Sequence, residues 1–186
     1  ILAENLAGWD LSSLRFIDTG TSATPPALID MLKTRFPGAL VRVFYGSTEA
    51  GMVSGLWDRE VQAKPGSVGR PAAGVELRLG PGEEIQVRSH MLADGYFRNP
   101  AATGAAFSEG WYHTGDRGAL DEDGYLYVTG RLKDIIRSAG ETVSPTDVER
   151  ALADCPGVAE VAVVGIPDAT WGEIVCAVVV AAPYAP

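Results

Sequence analysis

Between Leu14 and Tyr45 the chain changes texture twice within about thirty residues, and this alternation constrains its fold more than any other stretch. Leu14-Arg15-Phe16-Ile17-Asp18 reads as a strand, and Thr19 to Ser22 as a small-residue loop. Thr24-Pro25-Pro26 predicts a helix entry, with Thr24 as N-cap and proline tolerated in the first turn. Leu28, Met31, Leu32 and Phe36 recur at i, i+3, i+4 and i+8, an apolar stripe on that helix, and Pro37-Gly38 stops it. Val41 to Tyr45 reads as a second strand. Strand, helix, strand at this spacing is the βαβ unit of a parallel sheet. Its second strand runs into Gly46-Ser47-Thr48-Glu49-Ala50-Gly51. Open α/β sheets bind ligands at the carboxyl ends of their strands, so the position of this loop is as informative as its residues.

From Pro65 to Val128 glycine, proline and short alternating runs dominate. Val75–Leu79 and Glu84–Arg88 flank Gly80-Pro81-Gly82, a hairpin signal, and the segment reads as β-rich. Tyr96 to Pro100 reads as a loop before a short helix. Trp111 to Glu149 reads as two small β elements around a joint, with Thr114-Gly115-Asp116 as an acidic loop and Tyr125 to Val128 as a strand. Beyond the joint Ser144 opens a helix, with Pro145 at its first position and Asp147 in a capping-box-like pair, and Cys155-Pro156-Gly157 ends it. Val158–Val164 and Ile174–Ala181 are apolar strands, and the charge-free run from Val175 to Ala182 predicts a strand covered on both faces. The fold class is therefore α/β: the βαβ end of a larger domain (1–64), a β-rich subdomain (65–130), and a small α+β unit (131–186). Both ends look cut, so the 186 residues read as a piece of a longer chain.

Twenty-four acidic residues against fifteen basic ones give a net charge of −9, which argues against a nucleic-acid or anionic-membrane surface. No apolar run is long enough for a membrane span, and no signal peptide opens the chain. Cys155 and Cys176 have neither metal-ligand nor redox spacing and fit a reducing, cytoplasmic compartment as small core hydrophobes.

Three constellations carry chemistry. In Tyr45-Gly46-Ser47-Thr48-Glu49, Gly46 lets a ligand approach the backbone, while Ser47 and Thr48 suit phosphate oxygens. Glu49 is a hard oxygen ligand for Mg²⁺ bridging phosphates, and Tyr45 offers a ring for a base. The competing reading is a strand-to-helix turn with a capping hydroxyl, and with no Gly-Lys-Ser/Thr present it is not a Walker loop. In Tyr112-His113-Thr114-Gly115-Asp116, the carboxylate suits two ribose hydroxyls, and Arg131 suits the same sugar or a phosphate. The competing reading is a solvated turn with a surface ion pair, and His113 reads as a partly exposed loop residue. In Lys133-Asp134-Ile135-Ile136-Arg137-Ser138-Ala139-Gly140-Glu141, a charged residue just after Gly130-Arg131 suits a backbone rotation, and Gly140 suits close passage of a thin substrate arm. The alternative is an exposed hairpin with glycine at its tip.

Together these motifs resemble the adenylate-forming superfamily of acyl- and aryl-CoA synthetases, peptide-synthetase adenylation domains and beetle luciferases. Tyr45–Glu49 is similar to its Tyr-Gly-x-Thr-Glu motif, and Tyr112–Asp116 to its Tyr-x-Thr-Gly-Asp motif. Gly130-Arg131-Leu132-Lys133-Asp134, continuing to Gly140, Pro145 and Glu149, resembles its hinge motif. Gly95-Tyr96-Phe97-Arg98-Asn99-Pro100 and Gly165-Ile166-Pro167-Asp168 lean the resemblance toward acyl-CoA synthetases.

The resemblance implies a substrate set of ATP, CoA and a carboxylic acid, with Mg²⁺. It places Tyr45 on adenine with Gly46 and Ser47 beside it, Thr48 on the phosphates, Glu49 on Mg²⁺, and Asp116 with Arg131 on the ribose. Lys133 would be the hinge, where many relatives carry Asp, and Gly140 would face the pantetheine arm. Gly20-Thr21-Ser22-Ala23 sits where relatives have Gly-Gly-Ala-Pro, which puts Thr21 and Ser22 beside adenine and acyl group. The family's upstream phosphate loop and C-terminal catalytic lysine have no counterpart here, since no lysine follows Lys133, so the chain alone is expected to be inactive. Two alternatives stay open: an adenylation domain loading a carrier protein, and a non-catalytic nucleotide-binding or interaction module.

Overall fold

Val41 and Val43 are buried, and alternate residues of their strand face the underside of a helix, as expected of the strand to which a βαβ crossover returns. The structure, a computed structural model, describes residues 6, 8–20 and 22–182. Strand β1 (Phe16–Thr19) pairs in parallel with β2 (Leu40–Ser47), Phe16 opposite Leu40 and Thr19 opposite Val43, and α1 (Pro26–Arg35) makes the crossover. Ile29 and Leu32 of α1 pack into one cluster with Val41, Val43, Leu56, Val61 and Tyr125. Strand β3 (Gly51–Leu56) runs antiparallel beside β2, and β4 (Arg70–Pro71) beside β3.

Two local expectations fail here. The N-cap position of α1 falls on Pro25 and has no side-chain cap. Thr24 is one residue too early to reach the first-turn amides, and its hydroxyl instead donates to Thr19 Oγ1 at 3.0 Å. The buried stripe also turns by about one position: Ile29 is covered while Met31 is 52% exposed.

A second sheet holds β5 (Val75–Leu79), β6 (Glu84–Ser89), β7 (Phe107–Ser108), β8 (Trp111–Leu120) and β9 (Leu126–Arg131), with α2 (Pro100–Ala106) leading into β7. Its order is β5-β6-β8-β7, and β9 also pairs β8. The β5–β6 hairpin forms as expected, Val75 opposite Ser89 and Leu79 opposite Ile85. Thr114-Gly115-Asp116, expected as a loop, lies inside β8, and His113 sits on the same strand rather than in a loop. A strand paired with β6, β7 and β9 keeps its ladder through residues of poor strand propensity. Ala50, Val53, Ile85, Val87, Tyr112 and Leu126 form the core beneath this sheet.

The third sheet is antiparallel, in the order β11-β10-β13-β12. It contains β10 (Ile136–Ser138), β11 (Glu141–Val143), β12 (Val158–Asp168) and β13 (Gly172–Ala181), with α3 (Pro145–Ala153) between β11 and β12. Ser144 caps α3 as expected, its Oγ accepting from Asp147 N at 3.4 Å. The cap is one-sided, because the Asp147 carboxylate pairs with Arg150 instead. Strand β13 is not covered on both faces: Val178 is 58% exposed and Val180 52%. Cys155 is exposed and Cys176 half-buried, so only the latter resembles a core thiol.

The described chain divides into two compact units. The first takes the described residues up to Leu79, with Ile85–Thr114 and Ala119–Val128; the second takes Gly80–Glu84, Gly115–Gly118 and the described residues from Thr129 onward. No helix among the described residues is long and apolar enough to cross a membrane.

Candidate functional site

In the first unit the loop after β2 closes a hairpin, not a turn into a helix. Residues 48–50 form the turn, Gly46 faces Met52 and Ser47 faces Gly51, with a register irregularity between Tyr45 and Gly46. A side chain at Gly46 would meet the Gly51 carbonyl oxygen at 2.1 Å, so the close approach this glycine permits is used by the chain's own backbone. Ser47 Oγ accepts from Ala50 N at 3.2 Å and tightens the turn, while Thr48 is exposed.

Glu49 is half-buried and held from two directions. The Tyr96 hydroxyl donates to Glu49 Oε1 at 2.7 Å, and Ala93 N donates to the Glu49 carbonyl at 2.8 Å. Tyr96 is the main reason the Glu49 carboxyl sits below its ordinary range; burial opposes this, and Ser47 and Tyr112 add to it. Donation to a carboxylate in turn pushes the Tyr96 phenol up to about 12. Glu49 is therefore an anion throughout the neutral range.

Beside the hairpin, at the carboxyl ends of β1 and β2, lies a cavity of about 410 Å³ lined by residues including Thr19, Gly20, Phe44, Tyr45, Gly46 and Met52. Tyr45 also packs against the core under the second sheet, which fixes its ring. Gly20 is required by packing, since a side chain there would lie 2.0 Å from the Phe44 carbonyl oxygen. Asp18 at the cavity wall is committed to Arg42 through contacts of 2.7 and 2.8 Å, and that guanidinium stacks on Phe16. Ser22 is exposed, and Thr21 lies outside the described residues. A recess of about 470 Å³ near Leu11, Phe36 and Pro37 contains none of the candidate ligand-binding residues.

The second unit brings Asp116 and Arg131 together, with Arg131 Nε 3.1 Å from Asp116 Oδ1. Gly115 N donates to Glu84 Oε1 at 3.2 Å, and Arg117 pairs with Glu83, so the strand on either side of Asp116 is anchored. Lys133 is exposed in the single 3₁₀ turn Leu132–Asp134 that separates β9 from β10. Ala139 and Gly140 form the two-residue turn between β10 and β11, both with positive φ, and Ala139 N donates to the Trp171 carbonyl at 2.9 Å.

Reading the sequence missed Tyr96, Asn99 and Thr103 as parts of the hairpin's support. A signal was present in Gly95-Tyr96 followed by Asn99-Pro100 and Thr103, in which each polar residue has a short-range backbone partner. Which distant side chain Tyr96 serves has no local signature.

The fold, a strand-rich mixed α/β arrangement with a curled sheet, is that of adenylate-forming enzymes. It is similar to the o-succinylbenzoate coenzyme A synthetase of Bacillus subtilis solved with ATP and magnesium ion, at TM-score 0.80 and 34% identity, covering 92% of this chain and 38% of that one. The family profile described as AMP-binding enzyme matches residues 2–97, and that of the AMP-binding enzyme C-terminal domain matches residues 147–185. The chain belongs to the AMP-binding enzyme family. It is 41% identical over 182 residues to an indoleacetate–CoA ligase of Aromatoleum aromaticum, covering 92% of this chain and 35% of the relative. It is 39% identical over 183 residues to a long-chain-fatty-acid–CoA ligase of Mycobacterium tuberculosis, covering 92% of this chain and 36% of the relative. The chain thus spans about a third of the length of the curated relatives it matches.

Proposed function

We propose that this chain carries nucleotide-handling parts of an AMP-forming acid–thiol ligase, which activates a carboxylic acid as its acyl-adenylate and transfers the acyl group to CoA. The observation that carries the reading is the hairpin at Tyr45–Glu49, set at the carboxyl ends of a parallel strand pair and opening on a cavity of about 410 Å³. In the first unit Tyr45 offers a fixed ring to adenine, with Gly46, Ser47 and Ser22 beside it, and Thr48 offers its hydroxyl to phosphate. In the second unit Asp116 accepts the ribose hydroxyls and Arg131 assists. Lys133 serves as hinge and the Gly140 turn passes the pantetheine arm. The half-buried thiol of Cys176 and the exposed one of Cys155 suit a reducing, cytoplasmic setting.

The residues present fit Mg²⁺ in a particular way. Among the described residues no three His, Cys, Asp or Glu side chains gather into a cage. A single anionic carboxylate at Glu49, beside the hydroxyls of Ser47 and Thr48, suits a cation that keeps several waters and is shared with phosphate oxygens. When bound, the ion supplies charge neutralisation on the phosphates. The chain's own part is to orient: little covalent chemistry falls to protein groups in such a transfer.

Titration of the purified chain with AMP tests the reading. Saturable binding that disappears in Asp116→Ala is the expected result, and absence of AMP binding, or binding indifferent to Asp116→Ala, overturns it. For the hinge, Lys133→Pro placed in an enzyme of the relatives' full length should spare acyl-adenylate formation and depress thioester formation; equal loss of both refutes it.

A further inference from the structure

Tyr96 belongs to a segment several of whose polar groups build its own shape. Asn99 caps α2, its Oδ1 accepting from Ala102 N at 3.1 Å, and Pro100 occupies the first turn. The Thr103 hydroxyl donates to the Asn99 carbonyl at 2.9 Å and accepts from Tyr96 N at 2.9 Å. Gly95, at φ 145°, leaves the space Thr103 occupies: a side chain there would meet Thr103 Cγ2 at 2.5 Å. The Tyr96 ring stands edge-on to Phe107, and Phe107 stacks at 5.0 Å on Tyr112. With backbone bonded and ring braced on one edge, the phenol oxygen stands 2.7 Å from Glu49 Oε1.

The other end of the same segment holds the same residue, through Ala93 N to the Glu49 carbonyl. Two bonds from one loop, one to the backbone and one to the side chain, fix the glutamate's position and its rotamer. A lone glutamate on an exposed turn would lose considerable rotamer freedom on taking up a ligand. A carboxylate already clamped has lost it beforehand, which is the preorganisation that ion and phosphate sites require.

We propose that Tyr96 is a positioning residue for Glu49: the loop Ala93–Asn99, braced by Thr103, presents the carboxylate in one orientation to a divalent cation carried by a nucleotide. The proposal rests on reading Glu49 as the carboxylate that meets that cation. Tyr96 touches neither cation nor nucleotide; it acts through Glu49.

The test uses Mn²⁺ as probe. The 186-residue chain is titrated with ATP in Mn²⁺ and again in chelator, as parent, Tyr96→Phe, Glu49→Gln and the double variant. Tyr96→Phe keeps the ring against Phe107 and removes only the donor, so folding should survive. Binding in Mn²⁺ should weaken about fivefold in Tyr96→Phe, the scale of one typical net hydrogen bond. Binding in chelator should not change, and Tyr96→Phe should cost nothing further on the Glu49→Gln background. A purely structural role for Tyr96 would weaken both conditions alike and add to Glu49→Gln. A second variant, Thr103→Val, should weaken Mn²⁺-dependent binding in the same direction by loosening the Tyr96 backbone. If Glu49→Gln removes the Mn²⁺ dependence while Tyr96→Phe retains it, the positioning role is wrong and the reading of Glu49 stands. If Glu49→Gln leaves the Mn²⁺ dependence intact, or the parent shows none, the reading of Glu49 is wrong and the positioning role falls with it.

Discussion

Arg131 Nε stands 3.1 Å from Asp116 Oδ1, and the acid is the covered partner: its side chain is 15% exposed against 58% for the arginine. An ion pair with so open a cation contributes little to folding. The arrangement presents a carboxylate whose direction is set by an arginine rather than one buried for stability.

Arg131→Gln should therefore leave the unfolding midpoint nearly unchanged, within about 0.5 kcal/mol, as for an exposed surface substitution. AMP binding should weaken about threefold, the scale of a single assisted contact. Calorimetric titration and thermal melts on the same preparation separate the two effects, and a large drop in melting temperature with unaltered binding would assign Arg131 to folding alone.

Asp58 predicts a pH dependence. Its Oδ1 accepts from Lys33 Nζ at 2.7 Å and from Val41 N at 2.8 Å. Burial raises its pKa, but the Lys33 ammonium and the Val41 amide together outweigh that and leave it below the ordinary aspartate value of 3.8. A carboxyl depressed in the folded state stabilises above its unfolded pKa, and this contribution is lost as pH falls below about 4 through the folded value. Asp58→Ala should cost about 1–3 kcal/mol at neutral pH, because the amide of fully buried Val41 loses its partner. As pH falls below about 4 the gap between variant and parent should narrow, as urea melts across the acid range would show.

Gly46→Ala brings a methyl group against the Gly51 carbonyl, 2.1 Å from its oxygen. The hairpin has to open to admit it, at about 1–3 kcal/mol, the usual cost of overpacking. The midpoint should fall, and nucleotide affinity with it, since Ser47, Thr48 and Glu49 ride on the same turn.

Ser144→Ala removes two bonds from the start of α3: the cap to Asp147 N, and the hydroxyl's donation to the Thr129 carbonyl at 3.2 Å. Loss of a serine cap costs about 1 kcal/mol. Hydrogen exchange should quicken first in the amides of α3, and unchanged exchange there would show that the cap is dispensable.

The parallel pair and its crossover were legible because the period of apolar residues changes between Ile17, Leu32 and Val43, and both periods answer to one core. Helix α3 was legible because Ser144-Pro145 is a local signal with a local partner. Some failures came from local competition, others from partners that lie elsewhere in the chain. Thr24 reads as a cap until Pro25 takes that position and Thr19 takes its hydroxyl. Gly115 and Asp116 read as a loop until strands from elsewhere in the chain pair along β8. The valines of β13 read as covered because absence of charge reports what a strand tolerates, not what lies over it. At the candidate site the motif residues stood out; Tyr96 stood out as part of Gly95–Pro100 but not as the partner of Glu49, because that partner is 47 positions away.

The brace around Tyr96 has a consequence for heredity. Gly95, Asn99 and Thr103 each satisfy a backbone requirement of one small loop, and Tyr96 carries the loop's side-chain contact outward, to Glu49. A lineage that changes Gly95 to a larger residue displaces Thr103, then the tyrosine, and finally the glutamate's orientation. These five positions, spread over more than fifty residues of chain, are expected to be inherited as one character, retained together or abandoned together.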